Sequence, residues 1–376
     1  THSMNIAEMK AKQKQLVRWE YQWKALYRGY TDKTLYINLS SNEIKEKPVP
    51  AQMKEKFVGG KGYGLRLLWD ATTPTTKWND PENELNIASG PVAGITQYSG
   101  TGKSLLVSIS PQTDSIMDSN VGGFFGPFLK FSGFDALEIQ GKAEKDVIIY
   151  IDGKNHTVEI FEDPGFSTDS HILAEELTEF YAENEKDAKN IGIVSTGAAA
   201  EHSLIGMINF TFYDPKRKKV RLKQAGRGGL GTVMRDKKIK AIVAKVDGVG
   251  GNLNNVADLE AISARGRSYQ QEIRELDDHQ CQMRKKGTAN IVNVMNDYDL
   301  LPTHNFKYGS HADGIKIHSD ILRDKYFTLG VPDGCWIGCA MSCSKGVDDF
   351  ELKTGPYKGQ KVIVDGPEYE TAAGLG

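Results

Sequence analysis

Three cysteines, Cys335, Cys339 and Cys343, fall within one short run, Asp333-Gly-Cys-Trp-Ile-Gly-Cys-Ala-Met-Ser-Cys-Ser344, in a chain of 376 residues with only four cysteines. No other feature restricts the fold as strongly. Wherever a C-x3-C-x3-C run is helical, its sulfurs project from one side with a modest drift. Thiolates clustered at such spacing are how proteins hold an iron–sulfur cluster or a zinc ion. The alternatives are three buried structural thiols, or one disulfide and a spare thiol. A cubane cluster usually takes four cysteines, so the fourth ligand would come from Cys281, from a non-cysteine group, or from beyond Gly376. Cys281 itself sits among charged helical residues with no glycine turn. One tight cluster makes a poor disulfide framework and a good metal framework, which points to a reducing cytoplasm.

The length allows two domains or one large one. A net charge of −2 argues against non-specific nucleic-acid binding. No apolar run reaches membrane-spanning length and no signal peptide opens the chain. Thr1-His2-Ser3 ahead of Met4 is left out of the fold reasoning.

Residues 5–28 read as a helical extension (domain 1–29) of Ile6, Met9, Leu16 and Trp19 among Lys, Gln and Glu. Alternating segments follow at 34–40, 104–110 and 146–152, the last turning at Gly153-Lys154 into 156–161 as a hairpin. Helices are expected over 63–70 and 170–185, with Ile172, Leu173, Leu177 and Phe180 on one face. Further strands fall at 191–195, 204–212 and 239–245. Residues 30–247 therefore read as an α+β domain of short strands in two groups. A turn-rich stretch at 246–255 marks a boundary. Residues 248–376 begin a mostly helical domain, with helices over 257–284 and 288–297. A last helix starts near Pro367, and its abrupt end leads us to expect a fragment of a longer protein.

Two glycine motifs match nucleotide-binding patterns only by letter. Gly226-Arg-Gly-Gly-Leu-Gly231 follows the charged run Lys216–Lys223, which reads as a solvated face, where a dinucleotide fingerprint needs an apolar strand. Gly102-Lys103-Ser104 lacks the first glycine of a P-loop and precedes a strand. Four turns nevertheless join glycine to a cation or an amide: Gly59-Gly-Lys-Gly62, Gly100-Thr-Gly-Lys103, Asn120-Val-Gly-Gly123 and Gly226-Arg-Gly-Gly229. Glycine lets backbone N–H groups approach an anion, and Lys or Arg neutralises it. Four such turns on a strand-rich scaffold suit a large, flat, phosphate-bearing cofactor.

Taken in order, these pieces resemble the tungsten-containing aldehyde:ferredoxin oxidoreductase family. The resemblance rests on Asn86-Ile-Ala-Ser-Gly-Pro-Val-Ala-Gly94, the segment 120–135, Ala225–Met234 with the following strand, Gly287-Thr-Ala-Asn290, Leu301–Phe306, the cysteines and Gly366-Pro-Glu-Tyr-Glu370. It covers residues 30–376. It implies a strand-rich first domain of two sheets cradling two pterin dithiolenes around one tungsten, with magnesium bridging the pterin phosphates. It implies a [4Fe–4S] cluster on Cys335, Cys339 and Cys343. Lys103 stands where the family often has a pterin-contacting arginine. Asn120, Gly122, Arg227, Gly228 and Gly229 fall in pterin loops, and Glu370 at a glutamate near the metal. The implied reaction converts an aldehyde and water into a carboxylic acid and passes electrons to ferredoxin or a partner subunit, in an oligomeric enzyme. The chain departs from the family in spacing its first cysteines as C-x3-C instead of C-x2-C, in lacking the family's downstream cysteine and histidine, and in its N-terminal extension, a candidate docking element for a partner subunit.

The chemistry is consistent with these implied roles. Aldehyde oxidation needs a metal that polarises the carbonyl and an acceptor that discharges electrons singly. It also needs a group to take a proton. Two other readings stand beside this one. An aromatic acyl-CoA reductase of the same superfamily would tend to replace Glu370 and add a nearby cysteine. A non-catalytic iron–sulfur or zinc module would dock to a larger complex.

Overall fold

The computed structural model describes residues 6–366 and 368–374. Pro367, where the sequence places a helix start, lies outside the described residues. The chain divides into two units, residues 6–96 with 100–261, and residues 97–99 with 262–374. No helix among the described residues is long and apolar enough to cross a membrane.

The first unit is built on two mixed sheets. Its elements run α1 (Ile6–Lys12), β1 (Lys14–Glu20), β2 (Lys33–Asn38), β3 (Glu43–Pro48), α2 (Ala51–Phe57), α3 (Lys61–Ala71), β4 (Leu85–Ala88), β5 (Ser104–Ile109), β6 (Ile116–Val121) and α4 (Phe125–Phe131). Then follow β7 (Ala136–Gln140), β8 (Val147–Asp152), β9 (Thr157–Glu162), α5 (Ser170–Tyr181), α6 (Glu185–Ala188), β10 (Ile191–Ser195), β11 (Ile208–Asp214), β12 (Lys219–Ala225), α7 (Leu230–Asp236) and β13 (Ile239–Lys245). The six-stranded sheet has the order β3-β2-β7-β4-β5-β6 and the seven-stranded sheet β1-β9-β8-β13-β10-β11-β12. Each sheet contains one parallel pair, β2–β7 and β8–β13 respectively.

The layers follow from which faces are apolar. Helices α4 and α7 pack on strands of both sheets, and every residue of α4 is buried. Helix α3 covers the other face of the six-stranded sheet, with Tyr63 and Leu67 on Ala88 and Ala136. Helix α5 covers the other face of the seven-stranded sheet, where Leu173, Leu177 and Phe180 meet Ile148, Ile193 and Val243. Strands enclosed on both faces read as continuous apolar runs. β13 is buried throughout, and its Lys240 is accommodated by Asp163 at 2.6 Å. The Asp169 carboxylate caps α5 by accepting from the amides of His171 and Ile172.

Three expectations are corrected. Among the described residues of the N-terminal region helix covers 6–12, and residues 14–20 form β1, antiparallel to β9. That strand lies at the sheet edge, so its polar residues face solvent and its alternation is weak. The N-terminal segment is thus part of the first unit's own sheet. The basic run Lys216–Lys223 is a solvated face only in its first half: Lys216, Lys218 and Lys219 are exposed, but residues 219–225 form β12, which buries Arg221 and Lys223. Lastly, the stretch 257–284 is broken between α8 (Leu259–Arg274) and α9 (Gln282–Lys286).

The second unit also holds α10 (Val292–Asp297), α11 (Ser319–Lys325), the antiparallel hairpin β14 (Gly346–Glu351) with β15 (Lys361–Asp365), and α12 (Tyr369–Gly374). Val292, Leu301 and Ala373 form a small core, flanked by Met295, Ile317 and Tyr369.

Candidate functional site

In the first unit the four glycine turns gather around one hairpin, β5–β6. Ser104 pairs with Val121 and Leu105 with Asn120, so Lys103 and Gly122 follow directly at the open end of that hairpin. The glycine loop of residues 226–229 docks on β6, where the Arg227 amide donates to Ser119 Oγ at 3.1 Å. Ser110 Oγ, at the end of β5, donates to the Gly228 carbonyl at 2.7 Å. The turn before α3 joins them through Lys61, whose ammonium lies 2.7 Å from the Asp118 carboxylate.

The glycines are required here for stated reasons. Gly228 and Gly229 have φ of 77° and 65°, a region side chains disfavour. A Cβ on Gly229 would overlap the Leu204 carbonyl. The left-handed Gly229 serves as N-cap of α7, so the loop is a strand–turn–helix after all. Its strand β12 runs antiparallel to β11, which is not the parallel βαβ unit of a dinucleotide site. Beside the hairpin is a depression of ≈ 230 Å³ lined by Gly59, Gly60, Gly90, Gly100, Lys103 and Leu105, among others. A Cβ on Gly100 or Gly226 would meet nothing within 4 Å. Lys103, Asn120 and Arg227 are exposed, whereas Gly122, Gly228 and Gly229 are buried. Backbone approach with cations at the rim is the arrangement an anionic cofactor needs.

In the second unit the three cysteines share an irregular loop and no helix. Cys339 is its centre. The Cys335 thiol and the backbone amides of Ser342, Cys335 and Met341 hydrogen-bond to the Cys339 sulfur. The Cys335 hydrogen bond is the largest cause that lowers its pKa, to about 5. Each of these donors favours the thiolate. The loop is tied by the Cys339 amide to the Trp336 carbonyl and by Ser342 Oγ to the Cys339 carbonyl. Cys343 is exposed, and its carbonyl lies where a Cβ on Gly287 would fall, 2.7 Å away. Among the described residues, no group of three or more His, Cys, Asp or Glu side chains is arranged to hold a metal ion. The loop presents a hydrogen-bonded thiol pair, Cys335 and Cys339, with a third thiol four residues further on in sequence; thiols are the donor type that iron–sulfur clusters take, and here the three are not gathered around one point.

Glu370 lies in the first turn of α12, partly buried. Its neighbour Glu368 accepts a hydrogen bond from the Thr288 hydroxyl, which joins two motifs quoted above. Cys281 stands apart as the residue before α9.

Sequence reasoning missed a buried acidic pair in the first unit. Asn86 on β4 pairs with Glu138 on β7, and Glu84 immediately precedes β4. Glu138 accepts from Lys47 Nζ at 2.6 Å and from the Thr34 hydroxyl. Glu84 Oε2 has no hydrogen-bond partner among the described residues. Burial, then the nearby Glu138 charge, push the Glu84 carboxyl up to about 8, against lowering by Asn86, Lys47 and Lys237. The available signal was an acid inside the buried strand Ala-Leu-Glu-Ile-Gln.

The family model for the aldehyde ferredoxin oxidoreductase N-terminal domain matches residues 34–246, and that for domains 2 and 3 of the same family matches residues 265–376. The tungsten-containing aldehyde ferredoxin oxidoreductase of Pyrococcus furiosus is 31% identical over 352 residues, covering 93% of this chain and 52% of the relative. The Pyrococcus horikoshii protein of that name is 32% identical over 348 residues, with the same coverage. The aliphatic sulfonate oxidoreductase WOR-like subunit of P. furiosus is 29% identical over 361 residues, 93% of this chain and 53% of that subunit. The chain spans about half the length of the curated relatives it matches. Among solved structures, the active-site complex BamBC of benzoyl coenzyme A reductase with 1,5-dienoyl-CoA superposes with a TM-score of 0.63 at 22% identity, over 89% of this chain and 49% of that one. That likeness establishes the fold.

Proposed function

The chain belongs to the aldehyde ferredoxin oxidoreductase family, and from that premise we propose that it holds a tungsten bis-pyranopterin on its first unit and a [4Fe–4S] cluster on Cys335, Cys339 and Cys343, in an enzyme that oxidises an aldehyde to a carboxylic acid. On this reading ferredoxin or an iron–sulfur subunit would take the two electrons, and magnesium would be a further cofactor. The observation that carries the reading is the convergence of four glycine turns, far apart in sequence, on the β5–β6 hairpin.

When bound, the metal–pterin group supplies a Lewis acid and a two-electron acceptor. The chain's own residues bind, orient and move protons. Backbone amides of the Gly122 and Gly228–Gly229 turns approach the anionic cofactor, Lys103 and Arg227 neutralise it, and Asn120 offers an amide from the same hairpin. Glu370 takes a proton as water adds to the carbonyl carbon. The cysteine loop holds the cluster that passes electrons on singly.

Glu370→Gln tests the catalytic part of this assignment. In protein with its full metal complement, aldehyde-dependent reduction of ferredoxin or a viologen dye falls by roughly 10²–10⁴-fold, the range for a lost general base. Near-normal turnover by the metallated variant removes Glu370 from the mechanism. It also weakens aldehyde oxidation against the acyl-CoA reductase reading.

A further inference from the structure

Residues Gln97–Ser99 come from the early part of the chain but belong to the second unit. Three independent contacts seat them there. The rings of Tyr98 and Tyr269 stack with centroids 5.5 Å apart and planes 11° from parallel. Gly266 on α8 has no room for a side chain, because a Cβ there would overlap the Gln97 carbonyl. Ser99, buried to 7% exposure, accepts a hydrogen bond from the Ala340 amide at 3.1 Å through its Oγ.

Ala340 is the residue between Cys339 and Met341, and the amide of Met341 bonds the Cys339 sulfur. The Ser99 hydroxyl therefore fixes the peptide plane next to the central thiol. The Cys339 amide and Ser342 Oγ add two bonds within this stretch. It is irregular, Gly338 and Ser342 both have positive φ of 76° and 45°, and no secondary-structure ladder holds it. A single buried side-chain bond to such a loop sets where its sulfur points more than one in a helix would.

We infer that Ser99 is a positioning residue for the cluster loop, its hydroxyl holding the Ala340 amide so that Cys339 is presented in ligating orientation. The inference rests on the reading that this loop binds an iron–sulfur cluster. It also gives the segment just before Lys103 a role that the glycine-turn argument does not supply.

The test uses Ser99→Ala and Ser99→Thr in the anaerobically purified protein. Three quantities are followed: iron release to a ferrous chelator, the electron paramagnetic resonance signal of the reduced cluster, and hydrogen exchange at the Ala340 amide. Ser99→Ala releases iron roughly two- to tenfold faster, the range for one lost hydrogen bond. It alters the resonance line shape and speeds exchange at Ala340, while Ser99→Thr restores all three. A purely structural role would instead lower the melting temperature and leave the signal of intact cluster unchanged. A parent that binds iron, with Ser99→Ala matching it in release and line shape, overturns this inference alone. A parent that takes up no iron overturns the cluster reading and this inference with it. Should Ser99→Ala not fold, Gly266→Ala, which displaces the same segment through Gln97, is measured in its place, and unchanged iron release there is equally contrary.

Discussion

Replacing Glu84 by Gln should remove a strong pH dependence from the stability of the folded chain. Glu84 is 2% exposed, and its carboxyl pKa is raised from 4.5 to about 8. Between those values the folded chain keeps a proton that the unfolded chain has released. The folded state thus binds more protons, and stability falls as pH rises through the window. Each pH unit corresponds to about 1.4 kcal/mol. The upper bound over the whole interval is about 5 kcal/mol, a large fraction of the ~5–15 kcal/mol that holds a domain together. Glutamine has the shape of the neutral acid and no proton to lose. The assay is urea unfolding of parent and Glu84→Gln between pH 5 and 8, and their difference cancels most other titrating groups. Lys237, lowered to about 8 by burial, acts only above this range, where it opposes the trend. The two proteins should be close near pH 5, and the variant should gain steadily to be several kcal/mol more stable near pH 8. A difference that does not vary with pH would refute the argument that Glu84 is folded as a neutral acid beside Glu138.

Three further substitutions test the two candidate sites separately. Arg227→Ala should lower tungsten occupancy by roughly one to two decades, the value of a lost charge-assisted hydrogen bond. It should leave the melting temperature of cofactor-free protein nearly unchanged, and metal analysis with calorimetry checks both. Cys339→Ala should abolish the visible absorbance and iron of the cluster, whereas Cys281→Ala should leave iron content at the parent value. Retained iron in Cys339→Ala would remove that thiol from the ligand set.

Much of the first unit was legible because its burial is two-sided. β13, β10 and the β8–β9 hairpin read as strands, and α5 as a helix with one apolar face. β1 was not legible, because an edge strand has one face in water and can be as polar as a helix surface, and β12 was not, because it carries the buried charges Arg221 and Lys223. Strand order was beyond local pattern altogether: β2 pairs with β7 and β8 with β13 across long stretches of chain. The site shows the same division. Glycine beside a cation marks a candidate turn from letters alone. That Arg227 reaches Ser119 across 108 residues, or that Ser99 holds Ala340 across 241, depends on tertiary packing that no local window contains. The buried Glu84–Glu138 pair was hidden for a related reason, since alternation assigns a face to Glu138 without showing that α3 covers it.

The account's central claim is that one chain carries both a tungsten–pterin surface and a three-thiol cluster loop. Elemental analysis of anaerobically purified protein tests it most directly. The prediction is tungsten or molybdenum together with about four irons per chain, the complement of one cubane cluster. Iron or zinc alone, with neither tungsten nor molybdenum, would contradict the pterin assignment and leave a metal module in place of an oxidoreductase.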